Sequence, residues 1–159
     1  MIKFNPKHKF NNKKMSTPDG DFDSKGEWER WLFLKEAQKK GQISDLRRQV
    51  KYTLIPTQYR TEIVHLKTKD KVVQRVAERE ITYTADFVYE KPTGREVRVE
   101  VYSGHGDEFK VGNMMRDETA LVVEDFKGFP NDRWPLKKAM MLYFHGVAIR
   151  EVKKPTEPI

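Results

Sequence analysis

The apolar positions of this chain follow two periodicities, and the places where one gives way to the other mark the predicted elements. Over "DSKGEWERWLFLKEAQKKG", residues 23–41, Trp31 and Leu34 follow Glu27 at i+4 and i+7, the spacing of one helix face. Ser24 can cap this helix and Gly41 can end it, while Lys39 and Lys40 suit the negative end of its dipole. The period then falls to two. "VKYTLIP" (50–56), "EIVHLK" (62–67), "VVQRVAE" (72–78), "EITYTADFVYE" (80–90) and "EVRVEVY" (96–102) read as strands of an antiparallel meander. The glycine-bearing segment "SGHGDEFKVGNMMRDE" reads as an inserted loop, and "ALVVEDFKGF" (120–129) as the next strand. "NDRWPLKKAMMLYFHG" reads as a short helix, with Pro135 in its first turn, Gly146 at its end, and Leu136, Met140 and Tyr143 as its apolar stripe. "VAIREV" (147–152) closes the series as a strand. Helix, strands, helix, strand is the order of an α/β layer protein, a sheet flanked by helices.

Length suits one domain: 159 residues bury a core without metal or disulfide staples. The expected division is a basic flexible arm (1–21), a domain (22–152) and a flexible tail (153–159). The absence of cysteine excludes a disulfide framework, a thiolate nucleophile and a cysteine-type zinc site, leaving metal chemistry to carboxylate and histidine. No apolar run reaches signal-peptide or membrane-span length, so a soluble, cytoplasmic protein is expected. The net charge of +7 and a pI near 9.5 favour an anionic partner such as nucleic acid.

Three acids then change the picture. In "LVVEDFK", strand alternation puts Leu121, Val123, Asp125 and Lys127 on one face and Val122, Glu124 and Phe126 on the other. An isolated aspartate two residues before a lysine is ordinarily a weak surface ion pair. In "ITYTADFVYE", however, Asp86 is the lone acid mid-strand, beside an apolar face of Ile81, Tyr83, Ala85, Phe87 and Tyr89. Such an acid needs a partner: a buried arginine, a turn that it caps, or a metal shared with Asp125. Glu27 lies on the interior stripe of the first helix, and "SKGE" also spells a capping box in which it would reach back to the Ser24 N–H. Glu124, on the opposite strand face, is left out of the metal shell unless a bulge exchanges the two acids. Arg133, Lys137 and Lys138, at the start of the second helix, are candidate grips for flanking phosphates. His105 reads as a surface residue.

"FDSKGEWERWLFLKEAQKKGQISDLRRQVKYTLIP", "YTADFVYE", "LVVEDFKG" and "VAIREV" resemble, in order from about residue 22 to 152, phage and prophage endonucleases of the PD-(D/E)xK superfamily linked to Holliday junction resolution. The resemblance implies a restriction-endonuclease-like mixed sheet flanked by helices, an αβββαβ core with an extra hairpin. It places the motif acids at Asp86 and Asp125, the motif lysine at Lys127 and the helix glutamate at Glu27, with Gln49 as an accessory, DNA-facing residue. "TAD" stands where the superfamily has "PD", and the spacer from Asp86 to Asp125 is long. Implied with it are Mg²⁺, replaceable by Mn²⁺, on Glu27, Asp86 and Asp125, and Lys127 acting at the attacking water. The implied protein is a homodimeric, structure-selective DNA endonuclease, a phage Holliday junction resolvase acting on branched or duplex DNA in a bacterial host cytoplasm. The alternative is a non-catalytic basic nucleic-acid-binding protein of a phage replication or recombination assembly, its acids purely structural.

Overall fold

The computed structural model of the protein describes residues 14–105, 108–126 and 132–159, with 100–105 and 108–113 described by their backbone alone. A short hairpin, β1 (Met15–Thr17) and β2 (Gly20–Phe22), precedes helix α1 (Lys25–Lys39). Ser24 caps α1 through its side chain, and Gly41, at φ +69°, follows its C-cap in the left-handed conformation. The strands are β3 (Ser44–Ile55), β4 (Gln58–His65), β5 (Asp70–Glu78), β6 (Ile81–His105) and β7 (Glu108–Phe126). Helix α2 (Trp134–His145) has Pro135 in its first turn and Gly146 at a left-handed C-cap, and β8 (Ile149–Val152) follows.

The main sheet runs β3-β6-β7-β8. Neighbours are antiparallel except β8, which lies parallel to β7, as a crossover through α2 allows. Removing the separate β4–β5 hairpin leaves α1-β3-β6-β7-α2-β8, a mixed α/β fold with the αβββαβ order and one extra hairpin. None of the helices among the described residues is long and apolar enough to cross a membrane.

Four local expectations change. The strands expected at 80–90 and 96–102 are one strand, β6, and the expected loop at 103–118 falls largely in β7; the two pair from Glu96↔Asp117 to His105↔Glu108. The glycines and charges that suggested a loop are compatible with strand pairing, and the described side chains 114–117 of this ribbon are exposed. The β1–β2 hairpin takes in residues 15–21 of the expected flexible arm. The Arg48 guanidinium holds it, donating to the carbonyls of Asp19 and Asp21 at 2.7 Å each and stacking over Phe22 at 3.6 Å. In α2 the expected stripe is displaced: Trp134 and Met141 are buried, whereas Leu136 is 63% and Tyr143 82% exposed. The helix is apolar on several sides, so the bulk of Trp134 decides which side meets the sheet. Finally, residues 153–159, expected as a free tail, have an anchor: Arg30 donates to the carbonyls of Pro155 and Glu157, Arg150 to that of Pro158, and Lys91 to that of Ile159.

The core has two layers, one on each side of the sheet. Leu54, Tyr83, Ala85, Val88 and Val123 pack with Trp134 and Met141 of α2. Phe87 and Tyr89 pack with Leu34 and Ala37 of α1 and with Ile43. Strict alternation would keep Tyr83, Ala85, Phe87 and Tyr89 on one side; instead the phase of β6 slips at Asp86. That slip sets up the site.

Candidate active site

The slip coincides with a fork in the sheet. Pairing of β6 with β7 runs as far as Phe87↔Glu124, so Asp86 and Asp125 occupy the next positions, where the strands part. The Asp86 Oδ2 spans the gap by accepting the Phe126 N–H at 2.8 Å, supplying that amide with a partner the ladder no longer provides. Across β3, Arg48 and Val50 pair with Phe87 and Ala85, which places Gln49 opposite Asp86. Gln49 is held at φ +50°, a conformation costing a non-glycine residue about 1–2 kcal/mol. Its Nε2 lies 3.4 Å from Asp86 Oδ1 and 3.3 Å from Glu27 Oε1, so one amide links two carboxylates from different elements. Strain of this kind concentrates at functional sites.

Glu27 is buried, as its place on the interior stripe suggested, and it takes part in the helix cap. The Ser24 Oγ accepts the Glu27 N–H at 3.1 Å, as a cap should. The Glu27 Oε2, however, accepts the N–H of Asp23 at 2.9 Å, one residue before the expected Ser24 N–H. Its other oxygen is thereby turned toward Gln49. Burial pushes the Glu27 carboxyl above its ordinary range, against the opposing pull of the Asp23 N–H. Gly26 lets α1 approach: a Cβ there would stand 2.6 Å from the Phe126 ring.

Asp125 is 2% exposed and accepts the Tyr83 hydroxyl on Oδ1 at 3.1 Å. Asp86, Asp125, Tyr83, Trp134 and Lys137 line one cavity of about 330 Å³. Burial first, and the Asp125 carboxylate second, hold the Tyr83 phenol well above its ordinary range, so it remains a donor.

Glu124 faces the other way, as alternation requires. It is fully buried in the α1 layer and accepts from Arg30 Nε at 3.0 Å, Arg30 Nη2 at 2.8 Å, Arg150 Nη1 at 2.9 Å and the Tyr89 hydroxyl at 2.5 Å. The buried arginine considered as a partner for Asp86 therefore answers Glu124. Both Glu124 oxygens are engaged there, on the face away from the cavity.

Of the residues singled out from the sequence, Asp86, Asp125 and Lys137 share this cavity, while Glu27 and Gln49 line a second one and meet Asp86 through the Gln49 amide. Lys137 and Lys138 are half-buried on the sheet side of α2 rather than opposed to it. Lys138 pairs with Glu151 at 2.5 Å and lies 5.9 Å from the centre of the Trp134 ring. Arg133 is exposed at the N-cap position of α2, and its side chain makes no capping bond. Lys127 lies outside the described residues, as does the His105 side chain. Tyr83 and the Phe126 N–H escaped the sequence reading. The aromatic residue three before Asp86 was the available signal, but it read as core.

Two aspartates at one cavity form a hard-oxygen donor pair suited to Mg²⁺ or Mn²⁺. Among the described residues no three histidine, cysteine or acidic side chains are grouped to hold a metal, and the Gln49 amide lies between Glu27 and Asp86.

Residues 7–118 match the family described as "Protein of unknown function (DUF1064)", and the chain belongs to that family. The matched span contains Glu27, Gln49 and Asp86 and ends before Asp125. No curated protein and no solved structure matches the chain.

Proposed function

We propose that this protein is a metal-dependent DNA endonuclease of the PD-(D/E)xK kind, selective for branched DNA such as four-way junctions. The observation that carries the reading is the convergence of Asp86 and Asp125 at the sheet fork, with Lys137 in the same cavity and Gln49 tying Asp86 to Glu27. The αβββαβ order, the net charge of +7 and the sequence resemblance support it.

A phosphodiester is anionic and repels nucleophiles, so its hydrolysis needs positive charge at the phosphate and an activated water in line with the leaving oxygen. Mg²⁺ or Mn²⁺ held by Asp86 and Asp125 would supply that charge and acidify a bound water. The chain's own groups divide the remaining work. Gln49 orients Asp86, fixed from the other side by the Phe126 N–H. Glu27 holds Gln49 and serves the shell through it. The Lys137 ammonium, at the cavity wall, receives the phosphate, and Lys127, two residues beyond Asp125, orients the attacking water. Arg133, at the start of α2, grips the flanking backbone; Lys138 contributes less, its charge being engaged by Glu151. Cutting two strands of a symmetric junction calls for two opposed sites, which a twofold homodimer provides.

One observation favours the non-catalytic alternative: Asp86 already accepts from the Phe126 N–H and Gln49, an arrangement a structural acid would also adopt. Labelled four-way junction, flap and linear duplex, each with Mg²⁺ and with EDTA, separate the two. Junction cutting that EDTA abolishes is the expected result. Junction binding without cutting in Mg²⁺ and in Mn²⁺ would leave a nucleic-acid-binding protein.

A further inference from the structure

We infer that Tyr83 is a positioning residue that fixes the Asp125 carboxylate for metal binding, an inference that rests on the metal-site reading above. The Tyr83 ring is 3% exposed and is held by two other elements: it stacks on Tyr52 of β3 at 6.3 Å and lies against Trp134 of α2 at 5.9 Å. With the ring so confined, its hydroxyl has one place to be, 3.1 Å from Asp125 Oδ1. A carboxylate at the end of a strand can otherwise turn about two side-chain torsions. A donor fixed from a neighbouring strand removes that freedom, as partners of metal-binding carboxylates generally do. Tyr83 also lines the cavity that Asp86 and Asp125 share, so its hydroxyl acts where a ligand would sit.

The same strand carries an internal control. Tyr89, six residues on, donates its hydroxyl to Glu124 at 2.5 Å in the opposite layer. Two buried tyrosines of β6 therefore serve two adjacent acids of β7, one facing the cavity and the other facing Arg30 and Arg150. Removing either hydroxyl is the same chemical change to the same kind of buried pair. Only one of the two should be felt by a metal.

The test uses the full chain as wild type, Tyr83→Phe, Tyr89→Phe and the Asp86→Ala/Asp125→Ala double variant. Mn²⁺ binding is measured by calorimetry, junction cleavage across a Mn²⁺ series, and thermal unfolding without metal. Tyr83→Phe, which keeps the ring packing, is expected to weaken Mn²⁺ binding by about 10–100-fold. Its cleavage should need correspondingly more Mn²⁺ and should return toward the wild-type rate at saturation. Tyr89→Phe is expected to bind Mn²⁺ as the wild type does, whatever its unfolding midpoint. Wild-type affinity in Tyr83→Phe, with no binding by the double variant, would overturn this inference and leave the metal site standing. A loss of cleavage in Tyr83→Phe that excess Mn²⁺ does not rescue, accompanied by a lowered midpoint, would make Tyr83 structural and also overturn it. Wild type that binds Mn²⁺ no better than the double variant would overturn the metal reading itself, and this inference with it.

Discussion

Glu124 and Asp125 are adjacent acids with opposite surroundings, and replacing each by its amide should have opposite consequences. The Glu124 carboxylate is fully buried and accepts four hydrogen bonds, two from Arg30, one from Arg150 and one from Tyr89. Arg30 is itself fully buried. Glu124→Gln preserves volume but turns an NH₂ toward donors and removes the charge that balances Arg30. Breaking a buried ion pair on one side costs about 3–5 kcal/mol, a large part of the roughly 5–15 kcal/mol that holds a domain folded. For a chain of this length that corresponds to a fall of about 6–20 °C in the unfolding midpoint. Asp125→Asn keeps an oxygen for the Tyr83 hydroxyl, and its stability should stay within about 1 kcal/mol of wild type, while junction cleavage is lost. Urea and thermal unfolding by circular dichroism, with a cleavage assay on the same preparations, measure both. Glu124→Gln within about 1 kcal/mol of wild type would refute the buried-pair reasoning. Asp125→Asn as destabilised as Glu124→Gln would refute the assignment of the two acids to different tasks.

Two further outcomes follow from the helix start. Gly26→Ala puts a Cβ 2.6 Å from the Phe126 ring; the overpacking cost of about 1–3 kcal/mol should outweigh the roughly 1 kcal/mol gained in helix propensity. Cleavage should fall as well, because the Phe126 N–H holds Asp86; a variant more stable than wild type with full activity would contradict this. Glu27, whose carboxyl is raised by burial from its ordinary 4.5, binds its proton more tightly folded than unfolded. The stability it contributes is therefore full below the ordinary glutamate range and lost as pH rises through the raised value. Glu27→Gln should gain on wild type as pH rises from acid to neutral, and a stability difference flat across that range would refute the burial argument.

Features written in local chemistry were legible in the sequence. Ser24, Gly41, Pro135 and Gly146 bound the helices because caps and left-handed positions are properties of single residues and their neighbours. Strand alternation alone put Glu124 and Asp125 on opposite faces. Strand and helix patterning singled out Glu27, Asp86 and Asp125, and the resemblance added Gln49, whose amide lies between Glu27 and Asp86. Features that depend on distant partners were not legible. The Arg30–Glu124 pair joins residues 94 apart, and nothing near either residue marks the other. Tyr83 read as core, which it is, but the bond from its hydroxyl to Asp125, 42 residues on, has no local signal. The capping box was half-right: Ser24 accepts the Glu27 N–H, but the Glu27 carboxylate accepts from Asp23 and from Gln49 of another element. The β6–β7 ribbon was misread because its loop-like composition is compatible with pairing once a partner strand of matching length exists.

In the proposed nuclease Asp86 and Asp125 act as one hydrolytic centre. Its most direct test is the rate of four-way junction cleavage in Mg²⁺ by wild type, Asp86→Ala, Asp125→Ala and the double variant, with junction binding measured alongside. Residues acting as a unit lose function together. Each single variant is expected to cut at background with binding retained, and the double variant to lose nothing more. Wild type that binds but does not cut, or single variants that cut at the wild-type rate, would contradict the account.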